Sequence, residues 1–253
     1  MQLYSECMYC IVEHHWSLVK NEPDEARRAA FMREVLRTVA EADPNITAPV
    51  PTAKLQKLYA RAFRETDDFP RLKRQYNALL LQWLPELRAA LQRADDPLRL
   101  AVWMAMAGNY IDFGVLREID DARLREMLFT PDARAVDRAE LQNLRRDLQA
   151  ARAVTYACDN CGEIVLDMLL MEQIQQLNPN ARITALVRGE NVLNDATAED
   201  AQFVGLDRIA RIVGNGSNIG GTQIEYLSEE ALRALTTLES EGMLDDEEDS
   251  EYA

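Results

Sequence analysis

With 253 residues, 47% of them hydrophobic, the chain is long enough to bury a sizeable core and falls in the globular class. Its formal net charge is -15, but the last fifteen residues, Glu239 to Ala253, hold eight acidic side chains and no basic one, so much of the acidity is a tail. That sign, with no basic face in the sequence, excludes nucleic acid as a partner, and the longest apolar run, from Leu98 to Gly108, is too short to span a bilayer.

The opening "MQLYSECMYC" lacks the basic and apolar regions of a signal peptide. Together with two C-x-x-C pairs, Cys7 with Cys10 and Cys158 with Cys161, it leads us to expect a reducing, cytoplasmic setting. From there to about Ala150 the periodicity is helical: Phe31, Val35 and Val39 recur beside Met32 and Leu36, and Leu72, Tyr76, Leu80, Trp83, Leu84, Leu87 and Leu91 form a second stripe. Pro23 with Asp24, Thr52, and Asp95-Asp96-Pro97 sit where a cap and a first turn belong. The pattern predicts about six helices and no strand in this stretch. The helix after Pro97 is apolar nearly all round, which predicts a central position. It ends in Gly108 and Asn109, with Asp112 close behind, a capped helix end or a pair of polar groups reaching into a site.

Beyond Ala150 the rhythm alternates. Strands are predicted at "AVTYA" (153–157), "RITALV" (182–187) and "RIARIV" (208–213), and helices at Glu163 to Leu177, Ala198 to Val204 and Ser228 to Leu238. This βαβαβα order predicts an α/β fold with a parallel sheet, which places ligands at the carboxyl ends of its strands. Polar clusters fall there: Asp159 and Asn160, then Arg188 to Asp195, then the glycine-rich loop from Gly214 to Thr222.

The segment "CDNCGE" (158–163) has two chemistries. As a thiol pair at a strand-to-helix junction, Cys158 would have its pKa lowered by the helix N-terminus. As a zinc centre, the pair would join Cys7, Cys10 and His14, which lie on one helical face, although a gap of this size is far from any ribbon spacing; the plainer reading of that face is core packing. Read through its oxygens, the same segment offers a carboxylate and a carboxamide, and Asp195 in the next loop supplies a second carboxylate, a set suited to a hard divalent ion. Taken singly, Asp159 and Asn160 fit an Asx turn and Asn194 to Thr197 a helix cap; at successive strand ends they favour a site. The glycines of the third loop allow close backbone approach to a phosphate, making Gly216 and Ser217 candidate substrate contacts.

Taken in order, "CMYC", "GNYID", "DNCGEIVLD", "VRGENVLNDATAEDA" with "GLDRI", and "GNGSNIGGT" resemble the DUF89, or ARMT1-like, damage-control phosphatases, most of all the prokaryotic branch with an N-terminal C-x-x-C. The resemblance spans nearly the whole chain. It implies a helical domain over 1–150 on a Rossmann-like domain over 151–240, followed by an acidic tail over 241–253 that composition predicts to be disordered. It also implies hydrolysis of phosphomonoesters of small metabolites, sugar phosphates or damaged nucleotides and cofactors, with manganese, cobalt, nickel or magnesium held by Asp159, Asn160 and Asp195. Asn109, Asp112, Glu163 and Arg188 would then surround the substrate. Two departures stand out: Asn218 and Gly220 replace the acid and the proline usual in the third loop, and no lysine follows Lys73, so the family's Lys-Gly phosphate loop is absent. A partner, another residue such as Arg188, or nothing fills that role. A catalytically impaired member acting as a binding or regulatory protein, and a cysteine-based thiol or zinc protein, are the rival readings.

Overall fold

The structure, a computed structural model, describes residues 2–63, 69–111, 120–132, 135–221 and 223–236; Asp112 and the acidic segment 241–253 lie outside them. The chain divides into two compact units, Met1–Asp68 with Ile219–Gly221, and Phe69–Asn218 with Thr222–Ala253. The change of rhythm near Ala150 marks where strands begin, and the units part elsewhere, after Asp68.

The first unit holds α1 (Ser5–Val19), α2 (Glu25–Ala40) and α3 (Pro49–Phe63). The Asp24 side chain accepts the Arg27 N–H, satisfying one of the free donors at the start of α2. Thr52, expected near a helix start, lies one turn inside α3, with its hydroxyl donating to the Ala48 carbonyl at 2.9 Å. Prolines 49 and 51 fill positions whose N–H groups need no intrahelical partner, so the helix begins earlier than the threonine. The apolar stripes of the three helices meet in one core that includes Ile11, Val19, Phe31, Val35, Leu55, Tyr59 and Phe63. Phe31 stands edge-on to Tyr59 and Phe63, with centroids 5.7 and 5.3 Å away, the geometry favoured by ring quadrupoles.

His15 is fully buried in this core, its Nδ1 2.7 Å from the Ile11 carbonyl, and its Nε2 has no hydrogen bond among the described residues. Burial lowers its pKa from 6.5 to about 4, so the fold holds the neutral ring. Below pH 6.5 the unfolded chain takes up a proton that the folded chain refuses until about pH 4. Stability from this residue is therefore complete above pH 6.5 and falls towards pH 4, at about 1.4 kcal/mol per pH unit. Thermal or urea unfolding at pH 7 and pH 5 should show His15→Leu losing about 2 kcal/mol less than the wild type between the two; equal losses contradict this assignment.

The second unit opens with α4 (Phe69–Arg93), α5 (Pro97–Gly108), α6 (Asp121–Phe129) and α7 (Arg138–Ala150). It continues with β1 (Ala153–Ala157), α8 (Glu163–Leu177), β2 (Arg182–Val187), α9 (Ala198–Val204) and β3 (Arg211–Gly214), then a helix over 229–236. The three strands form a parallel sheet in the order β1-β2-β3, with Tyr156 opposite Ala185 and Ala185 opposite Ile212. β3 starts three residues later than the sequence predicts. Gly205, at φ 82°, ends α9, Leu206–Arg208 form a short 3₁₀ turn, and Ile209 and Ala210 complete the turn before the strand begins.

Side chains of β2 alternate as a pleated strand requires. Ile183, Ala185 and Val187 join the main core with Ile164, Leu166, Leu169 and Met171 of α8, while Leu186 faces the other way onto Val213 and Ala231. The sheet is thus covered on both faces, which is the arrangement that parallel strands need. α8 is buried along most of its length and packs against α5, the helix whose nearly all-round apolar sequence predicts a central position. Gly108 marks the tightest approach, since a Cβ there would lie 2.9 Å from Glu163 Cγ. No helix among the described residues is long and apolar enough to cross a membrane.

Candidate functional site

The loops that leave the carboxyl ends of the three strands are stitched to one another by backbone hydrogen bonds. The Ala196 N–H donates to the Asp159 carbonyl at 2.7 Å, the Cys161 N–H to the Asn194 carbonyl at 2.8 Å, and the Arg188 N–H to the Ala196 carbonyl at 2.9 Å. The third loop joins through Asn215, whose Oδ1 accepts the Gly189 N–H at 2.8 Å and the Ser217 N–H at 3.0 Å. Gly189 and Gly216 touch backbone to backbone, for a Cβ on Gly189 would lie 2.5 Å from the Gly216 nitrogen. Gly216 itself has φ 86°, where only glycine is relaxed.

On this frame Asp159, Asn160, Asp195 and Arg188 come together. Arg188 is only 5% exposed and bridges both carboxylates: its Nε donates to Asp195 at 2.5 Å and its Nη2 to Asp159 at 3.2 Å. Asp195 is buried, whereas the Asp159 side chain is 51% exposed and opens the site to solvent. Asn160 Nδ2 donates to Asp159 at 3.2 Å and to Glu163 at 2.9 Å, and its Oδ1 accepts from Asn194 at 2.8 Å. Glu163 is buried in turn and accepts from Asn109 at 3.1 Å. Asn109 follows α5 as its C-terminal cap residue and also reaches the site. Asp112, the other polar group expected there, lies outside the described residues.

The donor set fits a divalent cation. Two carboxylates from successive strand ends already converge on a single positive group, and Asn160 Oδ1 keeps one lone pair beyond the one that Asn194 occupies. Among the described residues no three His, Cys, Asp or Glu side chains are grouped to hold an ion; an ion held between the two carboxylates would take its third protein oxygen from the carboxamide.

The cysteines behave differently from a redox pair. Cys158 and Cys161 are buried and unbridged. Burial drives the Cys158 thiol well up, with the negative charges of Asp167 and Glu163 adding to it, and pushes Cys161 up to about 12. The thiol reading expected the opposite: burial and neighbouring carboxylates outweigh the helix terminus, so both sulfurs are protonated packing groups at neutral pH. Behind them Asp167 accepts from Tyr156 at 2.7 Å, and burial, reinforced by Glu163, holds its carboxyl well above the usual range.

Sequence reasoning missed the site role of a second layer of polar groups. Lys73, Asn77 and Asp200, together with Asn194 and Asn215 from the loops themselves, are all buried, and each bonds to one of the three loops. The signal for two of them was present: Lys73 and Asn77 are four apart, among the apolar positions of α4.

The model of the damage-control phosphatase ARMT1-like domain matches residues 3–244. An uncharacterized protein from Methanocaldococcus jannaschii is 29% identical across 100% of this chain and 84% of its own length. A damage-control phosphatase from Archaeoglobus fulgidus is 28% identical over 92% of this chain and 80% of its own. The crystal structure of a DUF89 family protein from Pyrococcus horikoshii superposes with a TM-score of 0.77 at 23% identity, over 93% of this chain and 81% of that one, which shows the fold.

Proposed function

The chain belongs to the ARMT1-like damage-control phosphatase family, and on that premise we propose that it hydrolyses phosphomonoesters of small metabolites with a divalent ion held by Asp159, Asn160 and Asp195. The observation that carries this reading is that two carboxylates from successive strand ends meet on one guanidinium, with the Asn160 carboxamide bonded to Asp159 beside them. When bound, manganese, cobalt, nickel or magnesium supplies Lewis acidity. The chain's own groups do the rest. Asp159, the exposed member of the trio, faces incoming substrate. Arg188, fixed from both sides, brings a positive charge that offsets the charge on a transferring phosphoryl group. Glu163 and Asn109 orient Asn160, and the close contact of Gly189 with Gly216 holds the second loop against the third, whose N–H groups and Ser217 we assign to the phosphate. Sugar phosphates and damaged nucleotides or cofactors are the substrate classes.

Protein stripped with EDTA should be inactive on p-nitrophenyl phosphate and on a panel of sugar phosphates, and should regain turnover on addition of Mn2+, Co2+, Ni2+ or Mg2+. Turnover that survives EDTA contradicts the metal assignment. Metal binding without turnover across the panel would instead make the chain a binding or regulatory member of the family.

A further inference from the structure

The second layer of polar residues has an organisation of its own. Asp200 is buried and accepts from four donors: Asn77 Nδ2 at 2.9 Å, Lys73 Nζ at 2.6 Å, and the Thr197 N–H and hydroxyl at 2.9 and 2.8 Å. The Thr197 contacts are an ordinary capping box for α9. Lys73 and Asn77 are not part of any such box; they come from α4, more than a hundred residues earlier in the chain. Asn77 also turns its Oδ1 to the Gly162 N–H at 2.6 Å, and Lys73 reaches Asn191 Oδ1 at 3.0 Å.

Both loops that carry the oxygen ligands are therefore tied to the same face of α4. Gly162 is two residues beyond Asn160, Thr197 two beyond Asp195, and Asn191 four before it. Gly162 is itself constrained, at φ 74° and with Ile111 Cδ1 only 2.9 Å from where a Cβ would stand. A buried Lys–Asp pair is no better for stability than well-packed apolar side chains, because two charges must be desolvated. What it does provide is directional anchoring of Asp200, and through Asp200 and Asn77, a fixed spacing between the two loops.

We propose that Lys73, Asn77 and Asp200 are positioning residues that set the distance between Asn160 and Asp195, so that α4 governs the affinity of the site for its divalent ion. This rests on the metal reading above. The test is a titration of the purified protein with Mn2+, following free ion by electron paramagnetic resonance at a temperature where circular dichroism shows each variant folded. Asn77→Ala should bind Mn2+ at least about tenfold more weakly than the wild type, the scale on which groups supporting metal ligands act. The paired variant Lys73→Met with Asp200→Asn, which removes both charges together and leaves no uncompensated ion, should show a loss of the same order and covers the case in which Asn77→Ala does not fold. In either variant the Mn2+ concentration for half-maximal phosphatase activity should rise by the same factor, with kcat at saturating metal within about threefold of the wild type. Variants that melt earlier yet bind Mn2+ as tightly as the wild type overturn the proposal and make the network purely structural. A wild-type protein that binds no Mn2+ overturns the metal reading itself, and this proposal with it.

Discussion

Asp195→Asn should lower kcat/KM for phosphomonoesters by about 10³ or more, a loss of about 4 kcal/mol in transition-state stabilisation, while leaving the protein folded. The asparagine keeps the shape of the side chain and an oxygen for the Arg188 Nε, so the bond that now measures 2.5 Å has an acceptor. What disappears is the one buried negative charge of the trio, since Asp159 is half exposed. A cation in that position loses its best-desolvated ligand, and Arg188 is left to share the charge of Asp159 alone within the trio. Far-ultraviolet circular dichroism and a thermal midpoint close to the wild type would separate this loss from unfolding. Activity within tenfold of the wild type would remove Asp195 from the site.

The second large effect is expected at Gly189. Alanine there would place a methyl 2.5, 2.7 and 2.8 Å from the N, Cα and C atoms of Gly216, all of them backbone and none able to swing aside. The loops after β2 and β3 must separate, loosening the Gly189 and Glu190 N–H bonds to Asn215 and Ser217. Overpacking of this kind costs about 1–3 kcal/mol, and a displacement near 1 Å at the phosphate-facing loop costs about 10²-fold in kcat/KM. Gly205 is the matched control. Its φ is 82° but the nearest atom to a Cβ is 3.9 Å away, so Gly205→Ala should cost about 1 kcal/mol of backbone strain and leave kcat/KM unchanged. Urea unfolding and the phosphatase assay on both variants test the pair; equal activities would mean that the contact between Gly189 and Gly216 does not shape the site.

The alternation of β-rich runs with helices is a local signal, and it placed β1, β2, α8 and α9 at their observed bounds. That Asp159, Asn160 and Asp195 lie close together was legible for the same reason, since a strand end in a parallel sheet is an address that local pattern can find. β3 was overextended because Ile209 and Ala210 continue its apolar rhythm, and only the left-handed Gly205 reveals that the chain is still turning there. The division after Asp68 left no local mark, because the helical period is the same on both sides. Nor could Lys73, Asn77 and Asp200 be paired from one sequence. Each contact spans more than a hundred residues, and a lone polar group on an apolar helix face gives no hint of its partner. Cys158 and Cys161 misled in the opposite sense, being conspicuous in the sequence and buried, protonated and unbridged in the fold.

Crystals of the protein grown or soaked with Mn2+ can be measured for anomalous scattering from manganese. A peak is expected within coordination distance of oxygens from Asp159, Asn160 and Asp195, at about 2.1–2.3 Å, with the Arg188 guanidinium beside it. A peak held by the cysteines, or a protein that hydrolyses phosphomonoesters while these three residues bind no ion, would contradict it.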